Sequence, residues 1–132
     1  MGLLLLPRLT FNFNYAIIYT MNATIIYTGQ FGISFNFHVG CADSSSIEEK
    51  VAFAQRAFHS LNIGMQDRLK VRSMSVGDLV LFEDGDYLVC LPTGWASIGR
   101  DKAIDFQKVC RRSLHIARLD MLQKFEKFAI AA

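Results

Sequence analysis

Apolar residues recur at steps of four and three through Ile47, Val51, Ala54, Phe58 and Leu61, while Glu48, Lys50, Gln55 and Arg56 fall off that stripe. The pattern predicts an amphipathic helix near 47–62. Ser45 with Glu48 and Ser46 with Glu49 have capping-box spacing at its start, and Asn62 or Gly64 ends it. Strand periodicity appears elsewhere. Leu9 to Tyr19 alternates, with Phe11, Phe13, Tyr15 and Ile17 separated by small or polar residues. Thr24 to Thr28 and Ile33 to Val39 read as adjacent strands around Gly29-Gln30-Phe31-Gly32. A further strand is expected near 69–74. Leu79 to Phe82 and Tyr87 to Leu91 flank Glu83-Asp84-Gly85-Asp86, whose Asp-Gly pair signals a hairpin, and Pro92 and Gly94 stop the second strand. Finally, Ala103, Phe106, Cys110, Leu114, Ala117, Met121, Phe125 and Phe128 line one face of a helix capped at Asp101. That helix would be about 40 Å long, so its far end should project or pack on a second copy.

Together these elements predict an α+β fold: a small, mainly antiparallel sheet with one packed helix and a long C-terminal helix. The organisation expected is 1–20 as an N-terminal extension or extra strand, 21–98 as the core domain, and 99–132 as a basic amphipathic helix. For residues 1–20 two readings stand: an extension upstream of a start at Met21, or a genuine edge strand over 9–19. Gly2 to Pro7 is apolar but too short for a signal-peptide core or a membrane span.

Composition narrows the class. With 132 residues, 52% hydrophobic and 20% charged, the chain suits one globular domain that needs no disulfide staples. Cys41, Cys90 and Cys110 are odd in number and widely spaced, which argues against a disulfide framework and for a reducing, cytoplasmic setting. Net charge is only +2, but residues 100–132 carry 8 basic against 4 acidic groups, whereas residues 40–99 carry 5 against 8.

Arg72-Ser73-Met74-Ser75-Val76-Gly77-Asp78-Leu79, followed by Gly94-Trp95, is the segment that looks selected as a unit. Ser75 to Asp78 places small, polar and flexible residues where a chain turns sharply into a strand. The run resembles that of the YodL-like domains, small proteins and modules of plasmids, phages and other mobile elements, over roughly residues 22–98. The resemblance implies a fold and a genetic context; the family carries no agreed activity. Ser-Val-Gly-Asp-Leu-Val is also similar to phrases in small β-barrel RNA- and nucleotide-binding modules.

Candidate chemistry is sparse. The chain has no His-x-x-x-His, no Cys-x-x-Cys and no Gly-rich phosphate loop, so neither metal nor cofactor is expected. A site assembled in space from His38, Cys41 and His59 is the one metal alternative. Asp78 is read either as an acid–base carboxylate at a strand mouth or as an acceptor that closes the turn. Arg72 with Ser73 and Ser75 would hold an anion, or Arg72 would pair with Asp78 or Glu83. Trp95 is a core anchor or an exposed contact residue. Lys108, Arg111, Arg112, His115 and Arg118 form a basic strip suited to phosphates, or a solvated face.

The functional expectation is a non-enzymatic accessory protein of a mobile element. It would act on a protein partner through Arg72, Ser73, Ser75, Asp78 and Trp95, with a homodimer through the 103–128 stripe as a candidate and no membrane association. The alternative is nucleic-acid binding through Lys108, Arg111, Arg112 and Arg118. A weaker alternative is a small enzyme centred on Asp78.

Overall fold

The computed structural model describes residues 9–11, 17–28, 35–42, 46–70 and 72–130, with side chains from 22–28, 46–70 and 72–130. The fold is α+β. Strands β1 (Leu9–Phe11), β2 (Ile17–Tyr27) and β3 (Phe35–Ala42) precede helices α1 (Ile47–Ser60) and α2 (Met65–Leu69). Strands β4 (Leu79–Phe82), β5 (Tyr87–Leu91) and β6 (Gly94–Ile98) follow, then α3 (Arg100–Arg111), α4 (His115–Phe125) and β7 (Ala129–Ile130). Among the described residues the sheet runs β3-β2-β4-β5-β6-β7, all neighbours antiparallel, with β1 on the first residues of β2. The division expected after residue 20 falls inside β2, which crosses Met21 without a break.

Both faces of the sheet are covered. Ala23, Ile25, Tyr27, Val80, Phe82, Leu88, Cys90 and Trp95 point to α1, where they meet Val51, Ala54 and Leu61. Ile26, Leu79, Val89, Leu91, Ala96 and Ile98 point the other way, to Ala103, Phe106 and Cys110 of α3 and Leu122 and Phe125 of α4. Successive strand side chains alternate faces, so a strand between two helical layers must be apolar at every position. That is why Tyr87 to Leu91 is a continuous apolar run, buried throughout.

Local signals explain the elements nearest the site. Ser46 caps α1 by accepting from the Glu49 N–H. The β4–β5 loop closes as a turn, with the Gly85 N–H on the Phe82 carbonyl and Gly85 at φ +100°, a conformation that suits glycine.

Four expectations are corrected. The described residues of 69–74 form no strand. Gly64, at φ +146°, lets the chain turn after α1, and the good helix formers of Met65–Leu69 wind into α2 before an irregular approach to β4. The strand Tyr87–Leu91 stops at Pro92 as expected, but the sheet does not end with it. A tight turn at Pro92-Thr93 pairs Leu91 with Gly94 and starts a further strand, β6. The sheet carries helices on both faces rather than one packed helix. The long C-terminal helix is two, because the chain breaks at Ser113 (φ 56°). There the Leu114 N–H reaches back to the Val109 carbonyl and the Ser113 N–H to that of Cys110, a Schellman closure. The stripe expected to seat a second copy is therefore largely consumed by the sheet: Ala103, Phe106, Cys110 and Phe125 are core residues.

A left-handed conformation strains any L-residue with a Cβ. Ser113→Gly should therefore raise stability by about 0.5–1 kcal/mol, seen as a higher urea midpoint at unchanged slope.

Candidate functional site

The Arg-Ser-Met-Ser-Val-Gly-Asp run folds into a hydrogen-bonded node between the two helical layers. Asp78 is fully buried and lies at the base of the turn that leads into β4. Arg72 grips it side-on, with Nη2 2.7 Å from Oδ1 and Nη1 3.1 Å from Oδ2. The Ser75 N–H donates to Oδ2 at 2.8 Å and the Thr28 N–H to Oδ1 at 3.1 Å. Around it, the Asp78 N–H donates to the Ser75 carbonyl and the Thr28 hydroxyl to the Gly77 carbonyl. The guanidinium of Arg72 also lies over the Tyr27 ring, 4.6 Å from its centre.

From the opposite layer, Arg118 of α4 donates to the Val76 carbonyl at 2.8 Å. Its guanidinium crosses directly over Gly77, where a Cβ would lie 2.2 Å from Nη2. Any larger residue would have to push that guanidinium aside and would be strained at a φ of +94°, so position 77 suits glycine. Met74 is buried in the α1-side core, and the Asn62 side chain ties the end of α1 to the Met74 carbonyl. The motif residues thus hold one bend in place, and all but Ser73 have an evident packing or bonding reason.

The electrostatics follow from burial. Desolvation pushes the Asp78 carboxyl up from its ordinary range, against the pull of Arg72 and of the Ser75 and Thr28 N–H groups. Burial, reinforced by the Asp78 charge, moves the Tyr27 phenol up to about 12 and the Cys90 thiol to about 12. Burial also raises the Cys110 thiol. These are properties of groups sealed in a core. Both oxygens of Asp78 are engaged, and the guanidinium of Arg72 is committed to it, so the bend offers neither a free base nor an open anion seat. Ser73 is exposed, and its carbonyl accepts from Arg72 Nη1.

Trp95 belongs to the core. It is 1% exposed, meets Phe58 edge to face, and its indole N–H donates to Gln55 Oε1 at 2.9 Å. It presents no surface to a partner.

The basic strip divides. Lys108 and Arg111 occupy the last turn of α3, and Arg112 follows as its C-cap; all three are exposed. Cations are favoured there by the helix dipole, as Asp101 is in the first turn. Arg118 is turned away from them, into the bend. His115 begins α4 and is exposed. Among the described residues no cluster of His, Cys, Asp and Glu could hold a metal ion. His59 is exposed, while the side chains of His38 and Cys41 lie outside the described residues. No described helix is long and apolar enough to cross a membrane.

Two features escaped the sequence pattern. Lys50, read as lying off the apolar stripe, is 3% exposed, with Nζ 2.5 Å from Asp84 and 2.6 Å from Asp86. Burial pulls its ammonium down, but the two carboxylates outweigh that and the net shift is upward. The acidic hairpin tip was the one available signal, since clustered carboxylates call for a cation. The second feature is an open, apolar groove of about 470 Å³ between α1 and α2, floored by Ile25 and walled by Phe53, Ala57, Leu61, Met65 and Leu69. Arg56 and Ser60 supply its polar rim.

The chain matches no family model, no curated protein and no solved structure.

Proposed function

We propose that this chain is a non-enzymatic accessory protein of a mobile genetic element, working by contact with another protein. The observation that carries the contact reading is the α1–α2 groove together with the apolar side chains beside it: Ile63 is 68% exposed, Met65 41% and Leu69 45%. Apolar surface gathered at a concave site is what a protein interface uses, whereas singly scattered exposed residues are not. The contact surface is accordingly placed on the helices, away from the buried Asp78 and Trp95. The likeness of residues 72–79 and 94–95 to the YodL-like run supports the mobile-element part.

A second reading, nucleic-acid binding, draws on Lys108, Arg111 and Arg112, which are exposed and make no ion pair among the described residues. One experiment separates the two. A photo-crosslinking residue is placed at position 69 or at position 108 of the full chain, and adducts formed in extracts of the encoding organism are identified with and without nuclease. Protein adducts specific to position 69 are expected. Nuclease-sensitive adducts at 108 alone would replace this reading with the second. In that case binding should fall steeply with salt and be lost in Arg111→Glu plus Arg112→Glu.

A further inference from the structure

We infer that the α1–α2 groove seats an acidic amphipathic helix presented by a partner protein, a step that rests on the contact reading above. Four observations lead there. None of the residues of α2 is buried, although two of its five are the large apolar Met65 and Leu69. A helix that short is marginal unless something packs on it, so a groove occupant would complete its apolar contacts. The walls are helices, which offer no free backbone ladder, so an occupant must bind through side chains spaced to fit a trough, the i, i+4, i+7 pattern of an amphipathic helix.

Charge then selects among such helices. Arg56 stands on the groove wall, and Arg68 and Lys70 lie on and just past α2; none makes an ion pair among the described residues. Asp67 is the single acid of α2. An occupant with acidic flanks is therefore drawn in and oriented, and a basic one is repelled. The same charge disfavours a second copy of this chain. Among the described residues its other exposed large apolar side chains are Leu114, Ile116, Leu119 and Phe128; the first three follow Arg111 and Arg112 in sequence and Phe128 lies under the Lys102 ammonium, so docking them here would bring cations against cations.

The test is selection from a display library of 16-residue peptides against the full-length protein, followed by anisotropy titration of the enriched sequences. Expected are peptides with apolar residues at helical spacing and an excess of Asp and Glu, which bind at least tenfold more weakly to Arg56→Glu and not measurably to Leu69→Asp. Both substitutions fall on exposed side chains, and circular dichroism confirms that the variants remain folded. Basic or unpatterned binders, binders indifferent to Leu69→Asp, or no binder at all would overturn the inference. So would preferential occupation of the groove by dodecanoate, or self-association in light scattering that Leu69→Asp abolishes. Failed selection combined with protein adducts at position 69 removes the helix while the contact reading stands; absence of those adducts removes both.

Discussion

Replacing Asp78 with Ala is expected to destabilise the fold by about 3 kcal/mol, at the lower end of the range for breaking a buried, hydrogen-bonded ion pair. The reasoning turns on who is left behind. Arg72 retains 35% of its side-chain exposure and can turn to water, which moderates the loss. The Thr28 N–H has no such recourse, because its bond to the carboxylate is buried, while the Ser75 N–H, whose bond is part-buried, is relieved only in part. The bend at 75–78 would lose its anchor at the point where it sets the register of β4 against β2. Urea denaturation followed by Trp95 fluorescence measures the effect. Ser73→Ala is the control, since only the Ser73 carbonyl is used, and it should stay within about 0.5 kcal/mol of the parent. A loss below about 1 kcal/mol for Asp78→Ala would mean that the bend holds without its carboxylate.

Trp95→Ala should be at least as damaging, at about 3–5 kcal/mol, the range for truncating a large buried aromatic. Trp95 is the largest of the fully buried side chains and fills the space beneath α1, against Phe58 and the strands on that face. Its removal leaves a cavity between helix and sheet that neither layer can close alone. Trp95→Phe separates packing from hydrogen bonding. Most of the volume remains and the bond to Gln55 is lost, but Gln55 is exposed and regains water, so the cost should be nearer 1–2 kcal/mol. Thermal unfolding by far-UV circular dichroism reads both variants. A Trp95→Ala protein as stable as the parent would contradict the placement of this residue in the core.

Where the relevant physics is local, the chain announced it. The α1 stripe, the Ser46 cap and the Asp84-Gly85 turn depend on residues within a few positions of one another, and each formed as read. The errors share a cause. Ser113 carries no mark of the left-handed conformation that divides α3 from α4, and the apolar stripe continues through it at helical spacing. The strand expected near 69–74 overlapped the end of a short helix, α2, that was not read at all, and Gly64 makes room for it by turning the chain after α1. Pro92 stopped β5 as read, but the strand beyond it was missed, because whether a turn ends a sheet or extends it depends on whether the next strand finds a partner.

The candidate site was legible only as a motif. That Arg72 to Asp78 is a unit was visible in the residue types, and pairing of Arg72 with Asp78 across the bend was one of the readings open to it. Burial of Asp78 was not visible, nor was the role of Arg118, read as one member of a basic strip.

Periodicity, capping and turn chemistry, all functions of near neighbours, determined the helix over 47–62, the hairpin over 79–91 and the α+β class from the sequence by itself. Only the tertiary structure decided which charges are buried and with whom. Lys50 meets Asp86 across 36 residues, Gln55 meets Trp95 across 40, and Arg118 meets Val76 across 42. Such pairs exist because two helical layers close on a shared sheet and exclude water, leaving each enclosed polar group to find a partner from another element. The groove between α1 and α2 has the same origin: its floor and both walls come from different elements, so it existed nowhere in the chain until they met.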